Sequence, residues 1–391
     1  MSVKPDLLVI GCDPVGFEIA FAAAGLGARI VLIGQDWPPE PAHRARLAAV
    51  GATIIDGPAR LMGDRQVMAG EYRWAPRWIV LANGAQRPDP GLSAGTGPIT
   101  LVLGDDSEAC TAALAANDAG SRVVLACPGR FLGRFHGDSA AWLHLDMERR
   151  GIVILEECGR LLGTAEAPER VRFEGGQSLP AADIGPVVNC LPRIARLEGL
   201  DIGKATGGAI VPDRGLRLGR SRIFLVGEAV ASDDGMPPAR NQAGLVLGQA
   251  LFGKRDRPDA RFDLRHVPTR PGLAEFGLTP DRLPETERNR YRILRATRAL
   301  ANPGERAALT VVTDRKSRVV GAAAFGQHAS ELVTPLLLLA RQGEPVTALA
   351  AFGFSNAGDD DLLAQVARQP LVDLVKSPAA KRLMRLRRVF G

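Results

Sequence analysis

The sequence predicts an α/β protein with two Rossmann-like domains and a C-terminal α+β domain. Three observations carry this. Residues 6–34, DLLVIGCDPVGFEIAFAAAGLGARIVLIG, read as an apolar strand, a tight turn at Gly11, a helix and a second strand, the plan of a βαβ unit that binds a dinucleotide. A second strand–turn–helix–strand, TLVLGDDSEACTAALAANDAGSRVVLACPG, repeats it, with Gly104, Asp106 and Ala109 where Gly11, Asp13 and Gly16 fell. Near the end the pattern changes to strand-like ALTVVTD and VVGAAAFG beside helix-like SELVTPLLLLARQG, which is the composition of an α+β domain.

Between the two βαβ units the chain reads as a proline-rich turn, a short helix, several β segments, and a strand Trp78–Leu81 ending at Asn83-Gly84. After the second unit, SRIFLVGEAV reads as a buried strand ending at Gly227-Glu228, followed by a helix in NQAGLVLGQALFG. The charged, proline-containing stretch GKRDRPDARFD marks a boundary near residues 255–265. The expected domains are residues 1–98 with 208–258, residues 99–207, residues 265–376, and a basic tail over 377–391.

A chain of 391 residues, 46% apolar, has enough material for two or three cores. Its five cysteines, Cys12, Cys110, Cys127, Cys158 and Cys190, show no CxxC or CxxxxC spacing and no histidine pattern beside them. Neither a disulfide framework nor a metal site is expected. The first residues enter a strand without a basic start and an apolar signal core, and the apolar runs are short for a membrane span. A cytoplasmic protein is the expectation. The net charge of +6 lies in the tail, where KSPAAKRLMRLRRVFG carries six Lys or Arg and no acid. The body is close to neutral, so nucleic acid is not an expected partner.

In a working dinucleotide turn, glycines let the backbone approach a pyrophosphate on the helix N-terminus. Here the middle glycine is Asp13. Two like charges about 4 Å apart repel by roughly 4 kcal/mol at an effective dielectric near 20. Asp13 is therefore read as a helix cap in preference to a cation ligand, and Cys12 as a small buried residue in preference to a reactive thiol.

Taken in order, IVLANGAQRPDPGL, IFLVGEAV, PPARNQAGLV, TRPGLAEFGLT and VVGAAAFGQHASELV resemble the flavoprotein pyridine nucleotide-disulfide oxidoreductases, the family of dihydrolipoamide dehydrogenase and glutathione reductase. The resemblance covers nearly the whole chain. It implies an FAD-type cleft at Gly11, Asp13, Gly16, Gly34, Asn83, Gly84, Gly227 and Glu228. It implies an NAD(P)-type cleft at Gly104, Asp106, Ala109 and Cys127, and a homodimer formed by the α+β domain.

The departures from that family fall at its chemistry. The segment with the redox-active CxxxxC and the flavin-contacting lysine is missing, because LIGQDWPPEP runs directly into RLAAVGATIIDGPARL. The acid that would hold the FAD ribose is Gly34, the ATG-type threonine is Asn83, and the ribityl-binding aspartate is Glu228. In the second cleft Asp105 and Asp106 crowd the turn, Ala109 replaces its last glycine, and Cys127 takes the place of a ribose acid. Thr111 stands where the family has the glutamate that pairs with the missing lysine, and Arg130 and Arg134 are near enough in sequence to meet a 2′-phosphate. The acid–base His and Glu fall at Asn356 and Asp361, and Asn exchanges no proton near neutral pH. NAD(P)H binding is thus less expected than FAD binding.

His328 is read as a dimer-contact residue, and Asp359–Asp361 as a helix start in preference to a metal site. In the tail, Leu383, Leu386 and Phe390 recur at helical spacing, while Lys381, Arg382, Arg385 and Arg388 supply a cationic face. A helix packed on its own domain is favoured there over contact with an anionic membrane or an acidic partner. The leading functional reading is a catalytically degenerate binding or assembly partner with no disulfide reductase chemistry. The alternative is an FAD-dependent NAD(P)H oxidoreductase acting on a non-disulfide acceptor.

Overall fold

In the computed structural model, residues 4–34, 41–63, 65–163, 169–203, 211–230, 238–255, 257–298, 306–354 and 358–378 are described, together with 380, 382 and 384–386. The chain forms two compact units, residues 1–88 with 192–260 and residues 89–191 with 261–391.

The first unit is built on a five-stranded sheet in the order Ile223–Leu225, Trp78–Leu81, Leu7–Ile10, Ile30–Gly34, Thr53–Asp56. All of its pairings are parallel. Parallel strands covered on both faces need apolar side chains on both, and Leu7, Leu8, Val9 and Ile10 are all buried. The helix Pro14–Gly25 follows the first strand and packs against the helix Ala239–Phe252. Pro14 begins that helix with its φ preset and no N–H to satisfy.

Two glycines are required by the turn. Gly11 has φ +100°, and a Cβ there would overlap the Ala82 backbone. Gly16 faces Ala82, so its missing Cβ lets the helix settle on the neighbouring strand.

The second unit holds a four-stranded parallel sheet in the order Val153–Leu155, Arg122–Ala126, Ile99–Leu103, Ile184–Asn189. Its helix Ser107–Asp118 repeats the strand–turn–helix of the first unit. The same unit contains a five-stranded antiparallel sheet in the order Arg265–Val267, Gly272–Gly277, Val319–Gly326, Ala307–Asp314, Tyr291–Arg298. The helices Ala329–Gln342 and Asp361–Lys376 pack on this sheet around a core that includes Phe276, Val311, Val333, Leu336 and Val366.

The grouping of residues 89–191 with 261–391 has a physical basis in buried charge. Glu275, 1% exposed, accepts from the backbone N–H of His136 at 2.7 Å and from Arg265 at 2.6 Å. His136 Nδ1 lies 2.6 Å from Asp281 Oδ1. A buried carboxylate needs such partners, because removing one strands an uncompensated charge. The sequence reading placed the return to the first domain at residue 208. The chain is already back at Pro192, where Ile194–Ala195 pairs antiparallel with Ala85–Gln86.

Gly11→Ala should destabilise the protein by about 2–4 kcal/mol, from positive φ plus overlap with the Ala82 backbone. Urea denaturation measures this, and a loss below about 1 kcal/mol would mean that the turn relaxes freely.

Candidate functional site

The end of the first strand, the start of the first helix and the turn Gly227–Ala229 converge within the first unit. Asp13 is the N-cap of the helix Pro14–Gly25, and its Oδ1 accepts from the Gly16 N–H at 2.7 Å. Its Oδ2 is buried without a hydrogen-bond partner. Gly227, at φ +70°, faces this carboxylate so closely that a Cβ on Gly227 would land on Oδ2. The Gly227 N–H is held by the buried Gln242 side chain at 2.7 Å. Burial pushes the Asp13 carboxyl up to about 6; the Gly16 amide opposes that rise, and the Glu228 charge adds to it.

Helix N-terminal amides are where this type of fold seats a pyrophosphate. Here the chain's own carboxylate is on them, so the phosphate path and the Asp13 side chain compete for one place. Gly34 ends its strand beside Asp56, with which it is in register, and the Asp56 carboxylate is gripped at both oxygens by Arg44, at 2.6 and 2.8 Å. Glu228 is exposed and paired with Arg193 at 2.5 Å. Asn83 Oδ1 is buried without a hydrogen bond, and Gly84 has φ +68°.

The second cleft repeats the pattern. Asp106 caps the helix Ser107–Asp118, accepting from the Glu108 and Ala109 amides at 3.0 Å each. Its carboxyl is raised from the usual range by burial first, against the Ala109 amide and with the Glu108 and Asp105 charges. Asp105 Oδ2 accepts from the Gly129 N–H at 3.2 Å, across the turn after the next strand. Gly104 has φ +145° and faces Ala109 and Cys190. Cys127 is fully buried, and burial pushes its thiol far above the usual range. Arg130 and Arg134 are exposed, and the Arg134 carbonyl accepts from Arg282. Thr111 returns its hydroxyl to the Ser107 carbonyl at 2.8 Å.

All five cysteines are free and buried, Cys12 among them. Burial raises the Cys110 thiol well above the usual range and pushes Cys158 up to about 11, which suppresses the thiolate that redox chemistry requires. Asn356 lies outside the described residues. Asp361 opens the last helix and accepts from Gln365 at 2.8 Å, while Asp359 is 3.8 Å from Arg298. His328 precedes the helix Ala329–Gln342, with Nδ1 2.9 Å from Glu331. Among the described residues no group of acids, histidines and cysteines is arranged to hold a metal ion.

Sequence reasoning missed Gln242, Arg193, Arg44 and Asp56. Each acts on a residue 12 or more positions away, and no local spacing announces such a pair.

No protein-family profile matches the chain, and no curated protein matches it in sequence. Among solved structures it is similar to LpdA from Mycobacterium tuberculosis, with a TM-score of 0.72, 16% identity, and coverage of 94% of this chain and 100% of that one. It is similar also to the HOCl-induced flavoprotein disulfide reductase RclA from Escherichia coli, with a TM-score of 0.72, 17% identity, and coverage of 92% and 99%. A Cu(II) complex of RclA matches with a TM-score of 0.69 at 16% identity, over 93% of this chain and 100% of that one. The chain has the pyridine nucleotide-disulfide oxidoreductase fold.

The raised Asp13 carboxyl sets a pH dependence. Its native pKa, about 6, exceeds the unperturbed 3.8. Ionisation therefore costs stability as pH climbs through that interval, and the full cost persists above it. Asp13→Asn keeps a capping acceptor and removes the charge. The variant should be more stable than the parent by about 1–3 kcal/mol near pH 8, with the gap closing as pH falls toward about 4. Urea denaturation across that range checks it; a gap constant with pH would mean that Asp13 is ionised without cost.

Proposed function

We propose that this chain is a non-catalytic member of its fold, a binding or assembly partner, homodimeric through residues 265–376 and cytoplasmic. The observation that carries the reading is that the helix N-terminal amides in both Rossmann-type clefts already hold the chain's own carboxylates, Asp13 and Asp106. A dinucleotide would have to displace a capping residue and approach a like charge in each place, at a cost of a few kcal/mol.

The missing thiol chemistry supports the same reading. Disulfide reduction by this fold relies on a thiolate pair, and here all five cysteines are buried, three with raised thiol pKa values. The structural neighbours named above are flavoproteins in the case of RclA, and the core that defines the fold is kept. What has changed are the polar groups around the clefts. An interface buries an apolar face of its own and so constrains sequence independently of any redox chemistry.

Two measurements test this. NADH or NADPH should drive no reduction of lipoamide, glutathione disulfide or mercuric ion, and a rate abolished by alkylating one cysteine would overturn the proposal. In calorimetric titration the parent chain should bind FAD weakly, and Asp13→Gly should tighten binding at least about tenfold by removing a like charge and a Cβ from the phosphate path. Tight parental binding left unchanged by Asp13→Gly would mean that the phosphate takes another path.

A further inference from the structure

The antiparallel sheet of the second unit carries, at one end of its edge strand, a pocket that belongs to neither cleft. Its volume is about 450 Å³, and it is lined by Asn289, Arg290, Asp314, Arg315, Lys316 and Arg318. That is the size of a small-molecule site. Asn289 and Arg290 lead into the edge strand Tyr291–Arg298, and the other four close the strand Ala307–Asp314 and form the turn after it. The register that sets Tyr291 opposite Asp314 brings the two groups together. Asp314 holds the turn in place: its Oδ1 accepts from the Lys316 and Arg318 amides at 2.8 and 2.9 Å, and its Oδ2 accepts from Arg318 Nε at 2.7 Å. Burial pushes the Asp314 carboxyl up, but the Arg318 and Lys316 donors outweigh burial and hold it below the usual range.

Four cations thus share the pocket with one acid whose oxygens are already taken. Arg290 reaches Glu287 at 3.2 Å, while Arg315 and Lys316 are exposed and form no ion pair among the described residues. Like charges gathered on an ordered turn repel one another. An oxyanion answers them, because its oxygens meet guanidinium and ammonium donors in charge-assisted hydrogen bonds, and a turn that is already fixed loses little freedom on binding. We propose that this pocket binds a small molecule bearing two or more phosphate groups. These residues fall within the region proposed to pair two copies, and the inference holds there as well. A partner that closed over four cations with no anion between them would strand positive charge. The inference rests neither on that pairing nor on whether either cleft binds a dinucleotide.

Calorimetric titration of the full-length chain with inorganic pyrophosphate tests it, at an ionic strength held constant with sodium chloride. The parent should bind pyrophosphate. Arg315→Ser with Lys316→Ser should weaken binding at least about tenfold, through the loss of charge-assisted hydrogen bonds to the anion. Arg73→Ser with Arg77→Ser removes the same charge from exposed positions in the other unit and should leave the affinity unchanged. The mass from light scattering should match the parent in both variants. No binding by the parent, or binding that the two variants weaken equally, would overturn the proposal. Binding that survives Arg315→Ser with Lys316→Ser would also overturn it and would put the anion elsewhere, the helix amides of the two clefts included. So would a loss of affinity that comes with a fall in mass, which would make Arg315 and Lys316 contacts between copies.

Discussion

The hydrogen bond from the Gly16 amide to Asp13 is the contact on which the first unit's character depends. A helix N-terminus carries N–H groups with no partner in the helix, and something has to accept from them. In dinucleotide-binding folds a phosphate on the bound molecule does so. Here a side chain of the same chain does it, and Asp106 does the same at the second helix. The helix starts are satisfied from within, so neither unit relies on a cofactor for its caps. The cost appears as a half-buried charge at Asp13, with Oδ2 left unpartnered and the carboxyl titrating near 6.

Several of the surrounding polar groups pair with one another. The Gly227 amide faces Gln242, Glu228 faces Arg193, and the Asp56 carboxylate beside Gly34 faces Arg44. Asp13 Oδ2 and Asn83 Oδ1 are buried beside them without a hydrogen-bond partner. The sheets underneath are indifferent to these exchanges, because their stability rests on apolar strands such as Leu7–Ile10 and Ile99–Leu103, buried along their whole length. This separation of core from site is why a fold can persist while its chemistry departs.

The fold was legible because its signals are local. Gly11 marks a tight turn, the strands alternate with helices at short spacing, and Asp13 reads as a helix cap. The capping role of Asp13 was legible for the same reason. Gln242 on Gly227, Arg193 on Glu228 and Arg44 on Asp56 were not, because each pair joins different elements and depends on tertiary placement. The return to the first unit at Pro192 was missed because a two-residue strand pairing carries almost no sequence signal. Of the tail's apolar residues at helical spacing, Leu386 is exposed, while Leu383 and Phe390 lie outside the described residues.

The most direct measurement is the visible spectrum of the purified chain after incubation with excess FAD and removal of free flavin. If Asp13 and Asp106 are the permanent caps of their helices, the protein should emerge without a flavin band. Stoichiometric flavin that survives desalting would contradict this, since the pyrophosphate would then have found the Gly16 amides despite Asp13.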